Sequence, residues 1–120
     1  MSKYADVYLL PIPEENIPAY KKLATAAGKL FVKHGALKYR EYVASDLDVE
    51  DVVPFPKRVR LKPGETLVYA AVEFKSEAHR NKVMKAIMTD PAMRSIMEGQ
   101  KPPFDYKRMV YGGFKILVDL

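Results

Sequence analysis

The stretch TLVYAAVEFKSEAHRNKVMKAIM, residues 66–88, changes its apolar period halfway along, and that change decides the fold. From Thr66 to Phe74 the residues alternate as in a strand. Val68, Ala70, Val72 and Phe74 face one way, and Leu67, Tyr69, Ala71 and Glu73 face the other. Beyond Ser76, whose hydroxyl suits the cap of a first helical turn, Val83, Met84, Ile87 and Met88 form a stripe at helical spacing. The methionines in it read as core filler rather than as a metal or cofactor box.

Upstream, Tyr4 to Leu10 also alternates, with Ala5, Val7 and Leu9 on one face and Tyr4, Asp6, Tyr8 and Leu10 on the other; Pro11 and Pro13 are expected to end it. Ile17, Tyr20, Leu23, Ala24, Ala27, Leu30 and Phe31 then recur as a helix, with Asn16 available as its cap and Gly35 as its stop. Ala36 to Ala44, rich in Tyr and Val, reads as a second strand closed by the turn residues Ser45 and Asp46. Leu47 to Glu65 is a long Pro-bearing connection with a short ordered piece expected around Phe55 to Leu61. A loop of that length is a candidate lid.

Downstream, Asp90-Pro91 breaks the helix and restarts a short one that Gly99 should terminate. The last strand has Val110, Gly112, Phe114, Ile116 and Val118 on an apolar face and Met109, Tyr111, Gly113, Lys115 and Leu117 on a mixed one. Its glycine pair weakens a strand, so a bulge or the close approach of another group is expected there.

The order is βαββαβ. Right-handed crossovers then place both helices on one side of an antiparallel sheet, a ferredoxin-like α+β arrangement in a single domain over residues 1–120. The most apolar faces of strands one, three and four are expected under the helices. That leaves Tyr4, Asp6, Tyr8, Leu10, Tyr69, Glu73, Met109, Tyr111 and Leu117 on the open side, too aromatic for water and too polar for a plain core. A second copy closing over this face, with a cavity between, resolves the conflict, so a homodimer is expected. In strand two either Leu37, Tyr39, Glu41 and Val43 or Lys38, Arg40 and Tyr42 look inward. If Glu41 and Glu73 both do, two carboxylates share a proton or need a basic partner.

Composition narrows the function. The formal charge of +5 invites phosphate binding, but the basic residues fall in scattered clusters, as on solvated faces, and the third strand lacks an RNA-recognition signature. No nucleic-acid partner is expected. Without cysteine, and with two histidines, neither a transition-metal site nor a cofactor is expected. His34 suits a helix C-terminus and His79 a surface first turn. No apolar run is long enough for a bilayer, so the expectation is a soluble, cytoplasmic chain.

The blocks GALKYREYVASD (35–46), FPKRVRLKPGETLVYAAVEF (55–74), TDPAM (89–93) and PFDYKRMVYGGF (103–114) resemble the YbaA-like bacterial proteins, a family of unknown function in the dimeric α+β barrel superfamily. The resemblance implies a ferredoxin-like subunit and a barrel-type dimer, and it names no reaction. Within the matching blocks, Glu41, Asp46, Glu73, Asp105, Lys107, Arg108 and Tyr111 carry functional chemistry. The wider superfamily implied by the resemblance holds cofactor-independent oxygenases, isomerase-like and haem-degrading proteins, and plain binding proteins.

Two readings of the candidate site follow. In one, the dimer binds a small acidic or aromatic metabolite without turnover through Asp6, Tyr8, Tyr69, Arg108 and Tyr111. In the other it is a cofactor-independent enzyme of oxygenase, isomerase or lyase type, with Glu73 or Glu41 as a buried base.

Overall fold

The computed structural model describes residues 3–98 and 101–120. Four strands, β1 (Tyr4–Pro13), β2 (Lys38–Val43), β3 (Glu65–Phe74) and β4 (Val110–Lys115), form one antiparallel sheet in the order β2-β3-β1-β4. The helices are α1 (Ile17–Lys33), the single turn α2 (Phe55–Arg58), α3 (Glu77–Met88) and α4 (Pro91–Met97). This is the ferredoxin-like order, with the two crossovers covering one face of the sheet.

Local chemistry accounts for the boundaries. Ser76 caps α3 by accepting from the His79 amide, and Asp90 caps α4 by accepting from the Ala92 amide. Gly35, at φ 113°, ends α1 in a Schellman turn: its amide donates to the Val32 carbonyl and that of Ala36 to the Phe31 carbonyl. His34 closes the same helix and holds Asp90 at 2.7 Å, which ties α1 to the start of α4 and keeps the Asp90 pKa below its ordinary value. Asn16 does not cap α1; its amide donates to the Pro103 carbonyl at 2.9 Å instead. Pro11 and Pro13 do not end β1. They pair with Leu67 and Glu65 of β3 beyond Leu9, the last residue opposite β4, where a missing N–H breaks no bond on that side. The expected stop at Gly99 lies outside the described residues.

Register settles the faces, because directly paired residues point the same way. Val68, Ala70, Val72 and Phe74 of β3 are buried under the helices as expected. Tyr4, Asp6, Tyr8 and Leu10 pair with Phe74, Val72, Ala70 and Val68, so this row of β1 is also helix-covered, the reverse of the expectation. Tyr111 pairs with Tyr8 and follows it, which reverses β4 as well. The open face instead carries Ala5, Val7 and Leu9 of β1 and Val110 and Phe114 of β4, the two β4 residues 56% and 58% exposed. Both faces of β1 are apolar, and apolarity therefore did not mark the inner one. The core lies between sheet and helices, in one cluster around Tyr4, Phe31, Phe74 and Ile87 and another around Leu10, Ile12, Tyr20 and Phe104.

Candidate functional site

Glu41 pairs with Ala70, which places Tyr39, Glu41 and Val43 on the helix-covered side of the edge strand β2. Opposite them runs one stripe of α1, with Ile17, Tyr20, Ala24 and Gly28 spaced one turn apart. Between stripe and strand opens a cavity of about 800 Å³ with predominantly apolar walls and Lys21 and Lys29 among its lining residues. The glycine is essential to its shape. A β-carbon on Gly28 would fall 2.6 Å from the Tyr39 ring, so the helix can approach that ring only without a side chain.

At the foot of this groove Glu41 accepts two hydrogen bonds, from the Tyr20 hydroxyl on Oε1 and the Tyr39 hydroxyl on Oε2. Burial first, and then the bond to Glu41, pushes both phenols above their ordinary pKa, so each remains a neutral donor at any physiological pH. Each carboxylate oxygen keeps a second lone pair for a further donor.

A second polar centre lies farther across the same face. Asp6 is fully buried; its Oδ1 accepts from Arg80 Nη1 at 2.7 Å and from the Tyr111 hydroxyl at 3.0 Å. Arg80 reaches it from α3, donates to Tyr111 at 2.7 Å and stacks on the Tyr4 ring 4.8 Å from its centroid. Desolvation raises the Asp6 pKa, against the lowering pull of Tyr111 and Arg80.

The expected site residues thus divide. Glu41, Asp6, Tyr8 and Tyr111 share the helix-covered side. Glu73, paired with Lys38, and Tyr69, paired with Tyr42, lie on the open side, so the two glutamates do not meet. The parity of β2 is opposite to what that meeting required. Arg108 grips Glu65 at 2.6 and 2.9 Å and the Arg60 carbonyl at 2.5 Å, anchoring the base of the long connection. Asp105 caps its own turn by accepting from the Lys107 amide. Tyr20, Tyr39, Gly28 and Arg80 were not foreseen as site residues. A glycine in mid-helix, which costs about 1 kcal/mol relative to alanine, was the signal for one of them. Among the described residues no cluster of three or more His, Asp or Glu side chains is arranged to hold a metal, and no helix is long and apolar enough to cross a membrane.

A family model described as "Protein of unknown function (DUF1428)" matches residues 3–106. The chain is 35% identical over 117 residues to the uncharacterized protein YbaA of Escherichia coli K12, covering 98% of each. Among solved structures, a nipsnap family protein of unknown function from Agrobacterium tumefaciens superposes with a TM-score of 0.63 at 15% identity, over 96% of this chain and 88% of that one. A dimeric ferredoxin-like protein from an uncultured marine organism gives 0.57 at 13% identity, covering all of both chains. At such identities the likeness is one of fold.

Proposed function

That the chain belongs to the DUF1428 family of proteins of unknown function is the premise from which we propose that it is a cytoplasmic homodimer binding a small acidic or aromatic metabolite in the groove between α1 and β2. The observation that carries this reading is the Tyr20–Glu41–Tyr39 constellation at the foot of an apolar cavity. An apolar pocket with a few convergent polar groups is the usual form of a small-molecule site. An aromatic body fits against Ala24, Gly28 and the Tyr39 ring, while Lys21 and Lys29 favour an anionic end. The test is a thermal-shift screen of acidic and aromatic metabolites on the wild type and on Glu41→Gln. Stabilisation of the wild type that the variant loses supports the groove; hits bound equally by both would remove Glu41 from it.

A second reading is an enzyme of oxygenase, isomerase or lyase type. It is favoured by the placement of Glu41, a carboxylate in a groove beside two neutral phenols: the carboxylate serves as base and a phenol steadies a developing oxyanion. Turnover of a ligand found by the screen, abolished by Glu41→Gln, separates this from binding alone.

The homodimer rests on the open sheet face. Leu9, Val110 and Phe114 there form an apolar surface that a monomer would leave in water, and a second copy packing sheet against sheet covers it. Light scattering should return twice 13.7 kDa, about 27 kDa, and a monomer at micromolar concentration would sink the assembly. The cysteine-free composition supports a reducing compartment.

A further inference from the structure

Asp6, Glu65 and Asp90, whose side chains are at most 10% exposed, each hold a basic partner: Arg80 at 2.7 Å, Arg108 at 2.6 Å and His34 at 2.7 Å. Glu41 differs. It is half-buried in the groove, and among the described residues no lysine, arginine or histidine forms an ion pair with it. Its two partners, the Tyr20 and Tyr39 hydroxyls, are neutral donors that take one lone pair on each oxygen and leave the charge uncompensated. A carboxylate flanked by apolar walls and lacking a counter-ion favours a cation brought from outside.

The turn spacing of α1 gives the groove a direction. Its deep wall is the buried row Tyr20, Ala24 and Gly28; one residue further round the helix, Lys21, Thr25 and Lys29 repeat the same spacing and are exposed at the mouth. Positive charge therefore stands at the mouth and negative charge at the foot, with an apolar wall between them. A plain aromatic acid answers the lysines and leaves Glu41 without a counter-ion, and a plain aromatic amine does the reverse.

We propose that the ligand class of this groove is an aromatic zwitterion. Its ammonium group donates to the free lone pairs of Glu41, its ring lies against Ala24, Gly28 and the Tyr39 ring, and its carboxylate faces Lys21 and Lys29. This inference rests on the α1–β2 groove being a ligand site, and adds the charge of the inner end and the direction in which the ligand enters.

Amide-resolved NMR titration with 4-(aminomethyl)benzoate and with 4-methylbenzoate, which lacks only the amino group, tests the two readings separately. Both probes should move the Gly28 and Val43 signals, with the aminomethyl compound binding about tenfold tighter, the worth of one hydrogen bond to a charged group. Glu41→Gln, which keeps the shape and removes the charge, should bring that ratio toward one. Lys21→Met combined with Lys29→Met should weaken both benzoates and preserve the ratio. Should Glu41→Gln fail to fold, 4-(hydroxymethyl)benzoate on the wild type decides, because this neutral donor of similar shape should bind no better than about twofold above 4-methylbenzoate, less than one full hydrogen bond. Equal affinities of the first two probes in the wild type, a ratio that survives Glu41→Gln, or a hydroxymethyl compound as tight as the aminomethyl one overturns the ammonium site and leaves the groove standing. If neither of the first two probes moves Gly28 or Val43, both readings fall.

Discussion

The Tyr4 ring of β1 rests against the backbone of Gly113 on β4: a β-carbon there would fall 2.1 Å from the Tyr4 hydroxyl and 2.7 Å from its ring. The same ring carries the Arg80 guanidinium. Tyr4 is therefore held between a glycine and an arginine that also pairs with Asp6, and the geometry of the buried ion pair depends on a missing side chain one strand away.

Gly113→Val should destabilise by about 2 kcal/mol, the usual scale of overpacking, because Tyr4 must leave its place under Arg80. Gly112→Ala, whose added carbon would meet only Phe114 at 3.4 Å, should melt within about 0.5 kcal/mol of the wild type. Urea denaturation compares the two, and equal midpoints would remove the Tyr4 contact as the reason for the glycine.

Removing Arg80 should cost more than removing the charge it neutralises. Arg80→Met strands a buried carboxylate, for which losses of about 3 kcal/mol are typical. Asp6→Asn keeps an acceptor for both Arg80 and Tyr111 and should cost clearly less. The order of the two urea midpoints decides, and the reverse order would contradict the pairing.

Two carboxylates should respond to pH in opposite senses. The Asp6 pKa is raised, so the folded state takes up its proton more readily than the unfolded chain. Its contribution is full below the unfolded value and falls as pH rises through the folded one. The Glu65 pKa is lowered by the bond from Arg108, so its contribution is present above the unfolded value and is lost as pH falls through the folded one. Stability of the wild type relative to Asp6→Asn should decline between acid and neutral pH, while its advantage over Arg108→Met should grow. Paired urea titrations at several pH values measure both slopes.

A charge on the open face should separate the protomers without unfolding them. Phe114→Asp places a carboxylate on the proposed sheet-to-sheet contact, far from the helix-covered core. The expected result is a scattering mass near 13.7 kDa with unchanged far-ultraviolet circular dichroism. A dimer that persists would move the interface elsewhere.

The change of period at Ser76 was legible because both halves of the quoted stretch obey one rule each, and β3, α3 and the topology followed from it. The faces of β1 and β4 were not legible. Tyr4 buries its ring, and Tyr8 and the half-exposed Tyr111 turn theirs to the helix-covered side although their hydroxyls suggest the open one, and Val7, Leu9, Val110 and Phe114 are apolar on the face turned away from this chain's own core. Arg80 was hidden for another reason. It sits in the polar run EAHRNK, where an arginine looks solvated, and only the fold brings it back over Asp6, 74 residues away. Tyr20 and Tyr39 likewise flank Glu41 only after α1 has closed on the sheet.

The Tyr20–Glu41–Tyr39 bridge gives this protein an optical property of its own. The chain has eight tyrosines and no tryptophan, so its intrinsic emission is tyrosine emission alone. A phenol bound to a carboxylate loses excited-state energy through that bond, and the two dimmed fluorophores line the groove itself. An occupant that draws Glu41 away from either hydroxyl will brighten the protein, and the unlabelled chain then reports its own occupancy.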